Sequence, residues 1–147
     1  MFRRILVPTD GSAHSGRAVK SAARLARTCR ASLTIFHAIP PYRTPYVVEG
    51  MNYAWPTETQ YLKSADRQAR KVLAKARAIA SRNGVAARTL QAYDDDTSRA
   101  IIAAARKTRA GLIVMASHGR RGLEKLLLGS ETQKVLARTK LPVLVVR

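Results

Sequence analysis

Short apolar runs rich in Val, Ile and Leu alternate along the whole chain with longer stretches in which small apolar residues return every three or four positions. The first kind predicts strands and the second predicts amphipathic helices. Phe2 to Val7 reads as a strand closed by Pro8-Thr9-Asp10-Gly11-Ser12. Ala18, Val19, Ala22, Ala23, Leu25 and Ala26 then recur at helical spacing. Ser32 to Ile39 is the second strand, and the prolines from Pro40 to Pro45 open a long loop through Trp55. A second helix begins near Pro56, where Thr57 and Gln60 have capping-box spacing, and stops near Asn83-Gly84. Val85 to Ala92 is a third strand. After Asp94-Asp95-Asp96-Thr97 a third helix turns Ala100, Ile101, Ala104 and Ala105 toward a core. Ala110 to Ala116 is the fourth strand, Ser130 to Arg138 the last helix and Pro142 to Val146 the fifth strand.

Strand and helix thus alternate five to four, and the strands are nearly continuous apolar runs. Both properties belong to a parallel sheet covered by helices on its two faces. The expected fold is α/β, a doubly wound five-stranded parallel sheet of Rossmann-like type. It forms one domain over 1–147, without linker, repeat or low-complexity segment. In such sheets a ligand sits beyond the carboxyl ends of the strands where the winding reverses. For the order 3-2-1-4-5 that place lies between strands one and four, at the loops Pro8 to Ser12 and Ala116 to Ser130. The loop from Pro40 to Trp55 is a candidate flap.

Composition narrows the class. No apolar run approaches the ~20 residues of a membrane-spanning helix, so no membrane partner is expected. The lone cysteine, Cys29, excludes a disulfide framework and a Cys-based zinc site; a soluble protein of the reducing cytoplasm is expected. The 27 Lys and Arg against 9 Asp and Glu give a net charge of +18, a field that concentrates any polyanion without choosing among them.

The loop chemistry points to phosphate. Glycine-rich backbone around Gly119, Gly122 and Gly129 can bring N–H groups close to oxygens, and Ser130 stands where a helix dipole favours an anion. Arg120 and Arg121 add guanidinium groups suited to phosphate. Glycines that only make turns, with Ser130 and Gln133 as an ordinary capping box, would explain the same residues. Asp10 at a strand end can bind ribose hydroxyls or a hard cation, or can cap the first helix.

Pro8-Thr9-Asp10-Gly11-Ser12, Met115-Ala116-Ser117-His118-Gly119, the nine residues before Gly129-Ser130, and the ending Pro142-Val143-Leu144-Val145-Val146 together resemble the universal stress protein family over the whole chain. The resemblance implies strand order 3-2-1-4-5, a fold of the adenine nucleotide alpha hydrolase-like kind, a homodimer and, in one branch, bound ATP with Mg²⁺. That branch carries Gly-x2-Gly-x9-Gly-Ser/Thr; here Ala116 replaces the first glycine. A negative φ at Ala116 would make the change minor, whereas a positive φ or a ligand against Cα would not. Carried over by position, Asp10 approaches the ribose or a phosphate-bound metal, Pro8 and Thr9 line the base side, and the backbone of Ala38 faces the adenine. Gly119, Arg120, Gly129, Ser130 and Thr132 hold the phosphates, with Met115, Ala116 and His118 around the nucleotide. The expected function is an ATP-binding regulatory or stress-response homodimer with at most weak ATP hydrolysis and no catalytic residue assigned. The alternative is an interaction module of the same family that does not retain nucleotide. An ATP pyrophosphatase or ligase is disfavoured, because the first loop lacks paired glycines.

Of the remaining candidates, Asp94-Asp95-Asp96 reads better as a helix cap than as a Mg²⁺ site, and His37 as a packed or hydrogen-bonded residue. His14 reads as solvated. No spacing suggests a metal cluster or a Ser-His-Asp triad. Arg17, Lys20, Arg24 and Arg27, with Lys63, Arg67, Arg70, Lys71 and Lys75, put basic stripes on two helices. Aromatics make up only 5% of the chain, so a solvated basic surface is favoured over a nucleic-acid footprint. The apolar last strand, if at a sheet edge, would pair with its copy across a two-fold axis.

Overall fold

The computed structural model describes residues 2–44, 55–118 and 128–147. Along these residues run β1 (Arg4–Pro8), α1 (Ala13–Cys29), β2 (Ser32–Ile39), α2 (Glu58–Arg82), β3 (Arg88–Tyr93), α3 (Thr97–Lys107), β4 (Leu112–Ala116), α4 (Ser130–Arg138) and β5 (Val143–Val146). The strands form one parallel sheet in the order β3-β2-β1-β4-β5. This is the doubly wound order expected from the sequence. Residues 45–54 of the candidate flap, and Gly119 to Gly122, lie outside the described residues.

The strand side chains alternate between two cores. Ile5, Val7, Leu33, Ile35, Leu112 and Val114 face α1 and α2. Leu6, Phe36, Ile113 and Met115 face the opposite layer, to which α3 contributes Ile101 and α4 Val135. Because both faces are covered, the central strands are apolar on both sides through their middles, as in Ile5 to Val7 and Leu112 to Met115. α1 buries Ala18, Val19, Ala22, Ala23 and Ala26, small side chains that let the helix lie close on the sheet. Burial of Val19 alone contributes roughly 1.5–3 kcal/mol.

Local chemistry sets the helix ends. Thr57 accepts from the Gln60 amide at 3.2 Å and Gln60 returns a bond to the Thr57 amide at 2.9 Å, the reciprocal box that the spacing predicted. Two helix exits use left-handed residues that are not glycine, Arg30 and Arg109, both at φ 51°. The third strand begins later than expected. Val85 donates to Ala80 O at 3.1 Å and Gly84, at φ 77°, donates to Ser81 O at 2.9 Å, so these residues close the end of α2 instead of entering the sheet. β5 starts at Val143 rather than Pro142, which has no N–H to give to the ladder, although its carbonyl accepts from Ile113 at 3.1 Å.

Candidate functional site

The sheet itself opens the crevice. β1 pairs with β2 as far as Pro8–Phe36, and β4 with β5 as far as Ala116–Val146. Between β1 and β4 the ladder holds only Ile5–Leu112 and Leu6–Ile113. Each central strand therefore follows its outer neighbour for longer than it follows the other, and the two part toward their carboxyl ends. That is the reversal point at which doubly wound sheets take ligands.

A hydrogen-bonded knot holds the loop after β1. The Thr9 amide donates to Phe36 O at 2.8 Å, and Nδ1 of His37 donates to Thr9 O at 2.8 Å. A carbonyl only accepts, so His37 carries its proton on Nδ1 and serves as a positioning group, as its place in a strand suggested. The Thr9 hydroxyl lies 2.9 Å from that of Ser15, and the Ser15 hydroxyl donates to Ser12 O at 3.0 Å. Ser12, not Asp10, caps α1: its hydroxyl accepts from the Ser15 amide at 3.1 Å. Asp10 instead accepts from the Ser12 amide at 2.9 Å, which tightens the turn and leaves the carboxylate half-buried at the crevice. Ser15 is part of this site that sequence reasoning missed; its spacing of three from Ser12 is the only local signal.

The second loop is tied to the end of β4. Gly129 donates to Ser117 O at 2.7 Å, and the buried Thr132 hydroxyl donates to Ala116 O at 2.9 Å. These bonds set the first turn of α4 above the strand end. Gly129 is its N-cap, and among the described residues no side chain caps the helix. Ser130 is therefore the first helical residue, and the capping-box alternative for Ser130 and Gln133 does not hold: Gln133 Nε2 reaches Leu128 O at 2.6 Å. Glu131 puts a carboxylate in the same turn, one oxygen accepting from Lys134 at 2.9 Å and the other buried without a partner among the described residues.

The two loops approach each other. The rings of His14 and His118 stand 6.3 Å apart across the crevice. Nδ1 of His118 lies 3.0 Å from the Ser117 hydroxyl, and its Nε2 is buried without a partner among the described residues. Ala116 sits in β4 and is not among the described residues with positive φ, so its backbone does not demand glycine. Ala38 is half-buried and pairs with Ala92, two residues beyond the Phe36 carbonyl that holds Thr9. Met115 is buried in the α3/α4 core. Gly119 and Arg120 lie outside the described residues.

The acidic triplet is a structural cluster. Asp96 caps α3, accepting from the Arg99 amide at 3.1 Å and from Arg138 at 2.6 Å. The Ser98 hydroxyl and Arg138 hold its carboxyl well below the usual carboxylate range. Arg99 pairs with Asp94 and Asp95, both at 2.6 Å. Its hydrogen bonds lower the Asp94 pKa, and those carboxylates raise that of Arg99. Among the described residues no three His, Cys, Asp or Glu side chains gather as a metal site, and no helix is long and apolar enough to cross a membrane.

A sequence model of the universal stress protein family matches residues 1–147. A universal stress protein of Thermus aquaticus is 36% identical over 147 residues, covering 100% of both chains. One from Methanocaldococcus jannaschii is 31% identical, over 100% of this chain and 83% of its own. The fold also matches a crystal structure of a universal stress protein in complex with cAMP, at a TM-score of 0.74 and 25% identity, covering 99% of this chain and 97% of the other.

Proposed function

The chain belongs to the universal stress protein family, and from that membership we propose that it binds an adenine nucleotide, ATP in particular, as a regulatory ligand in the crevice between β1 and β4. The observation that carries this reading is the parting of the two strands beneath an α4 start that has no side-chain cap. A helix start without a side-chain cap, together with the helix dipole, suits phosphate oxygens. The orphaned Nε2 of His118 offers one more polar contact. A relative of the same fold holds cAMP, which supports the adenine class. In this reading Gly119, Arg120, Gly129, Ser130 and Thr132 hold phosphates. Thr9 and Pro8 line the base side, Ala38 meets the adenine, and Met115 backs the pocket from the core. Asp10 is the carboxylate that would take ribose hydroxyls or a phosphate-bound Mg²⁺. The Ala116 methyl lies on strand backbone that any residue adopts, which supports retention of the nucleotide.

The test is thermal unfolding of ligand-stripped protein with millimolar ATP and Mg²⁺, and separately with cAMP and AMP. Saturation at about 100 times Kd adds about 2.7 kcal/mol, a melting shift of several degrees. No shift with any of the three overturns nucleotide binding. A shift with cAMP or AMP alone keeps the adenine class and removes ATP. Glu131 sharpens the test, since its charge shares the field a phosphate would use. Glu131→Gln is expected to tighten ATP by about two- to fivefold, and weaker binding in a titration would show that phosphates lie elsewhere.

The same reading includes a homodimer. β5 has a neighbour on one side only among the described strands, and Leu144 is 42% exposed on it. Antiparallel pairing of Pro142 to Val146 with its copy would satisfy that edge. A monomeric mass by light scattering at micromolar concentration would count against it.

A further inference from the structure

The positive charge is concentrated on one layer. α1 contains no acidic residue, and none follows Asp66 in α2; these stretches carry ten lysines and arginines. Between the two helices runs a groove of about 550 Å³, with Arg17, Lys20 and Arg24 on one wall and Lys75 and Arg82 on the other. None of the five is in an ion pair among the described residues. Arg17 touches the His14 ring instead, at 2.5 Å. Val72, Ala76 and Ile79 lie between the two rows of cations. Gly16 faces Ile79 closely enough that an added Cβ would stand 3.5 Å from its Cδ1. One end of the groove reaches the loop at Gly11 and Ser12.

We propose that this groove binds the phosphodiester backbone of single-stranded nucleic acid, without regard to base. The site goes beyond the nucleotide crevice and does not depend on it. Arg24 lies seven positions along the helix from Arg17, and Arg82 seven from Lys75. Each wall therefore carries cations over about 10 Å. One strand of a duplex places a phosphate every ~3.4 Å along the helix axis, and an extended single strand spaces them about twice as widely, so roughly two phosphates lie between the two rows. No aromatic side chain lines the groove, so bases have no stacking platform; what departs from the solvated surface favoured by composition is the facing of two cation rows, which addresses phosphates alone. A concave surface does not suit a flat bilayer. A second copy of this chain would bring the same excess of positive charge without carboxylates to spare. α1 and α2 pack against each other, so the groove is one trough along their seam, which fits a single phosphate backbone.

The experiment is fluorescence anisotropy of a labelled dT oligomer of about twenty nucleotides, titrated with the full chain from about 50 to 200 mM salt. Wild type should bind, with log Kobs against log salt sloping at about −1.4. Arg24→Glu with Lys75→Glu should weaken binding by about tenfold or more and flatten that slope. Arg106→Glu with Lys107→Glu, an equal charge change on exposed residues of α3, should stay within about threefold. Circular dichroism confirms that both variants fold, and neither should lose the ATP-dependent melting shift if the crevice binds ATP. Equal weakening by the two double variants would reduce the effect to bulk charge and overturn the groove. So would absence of binding, or tighter binding of duplex DNA, inorganic polyphosphate, poly-glutamate or phosphatidylserine vesicles than of the single strand.

Discussion

The two helical layers handle charge in opposite ways. On the α3/α4 side the acids are consumed at home: Asp94 and Asp95 hold Arg99, and Asp96 joins the start of α3 to Arg138 of α4. On the α1/α2 side Arg70 pairs with Asp66, while the cations of the groove have no carboxylate partner among the described residues. Packing differs in parallel. α3 buries Ile101 against Phe36, whereas α1 presents Ser15, Val19 and alanines. One layer is self-contained, and the other is thin, close to the sheet and turned electrostatically outward. Half of the +18 net charge therefore lies on α1 and α2, where few acids offset it.

That contrast can be broken in graded steps. The largest effect is expected from Ile101→Ala, which removes a side chain only 2% exposed from the α3 core and should cost about 2–5 kcal/mol in urea unfolding. Next comes Ala22→Leu, in the opposite sense. The tight seat of α1 leaves no room for added methylenes, so a loss of about 1–3 kcal/mol is expected, and a neutral result would show that α1 is loosely seated.

Asp96→Asn keeps a capping side chain but removes the charge that Arg138 uses. The folded protein holds the Asp96 and Asp94 carboxyls below their ordinary range, so it binds fewer protons than the unfolded chain in acid. Their contribution is complete above about pH 4 and is lost as pH falls below it. The variant should melt a few degrees lower than wild type at neutral pH and approach it near pH 2.5; a constant gap between the two pH values would contradict the pairing. The smallest effect belongs to the outward layer, where Arg24→Gln should change stability by less than about 0.5 kcal/mol. A clear loss would mean that Arg24 has a structural partner.

Much of this arrangement was legible in the sequence because its causes are local. The bounds of β2 and α4 follow from apolar runs closed by Pro40 and opened by Gly129-Ser130, and the α2 start follows from Thr57 and Gln60. Where two local solutions competed, the sequence could not arbitrate. Asp10 and Ser12 are both cap-forming residues, and chain geometry chose Ser12. Val85 to Ala87 looked like strand until the end of α2 drew Val85 and Gly84 into its last turn. Contacts between distant positions gave no signal. His37 reaches Thr9 across 28 residues, and helical spacing revealed basic stripes on α1 and α2 without revealing that Arg17, Lys20 and Arg24 face Lys75 and Arg82. Ala116, the one departure from the glycine pattern, needed its φ to be judged.

Amide hydrogen exchange with and without saturating ATP and Mg²⁺ tests the central claim most directly, because it reads each loop separately. Slowed exchange should appear at Thr9 to Ser12 and at Ser130 to Thr132, with the amides of α3 unchanged. Slowing confined to α1 and α2 beside the basic groove, or none in the two loops while ATP still raises the melting temperature, would contradict a crevice between β1 and β4 as the nucleotide site.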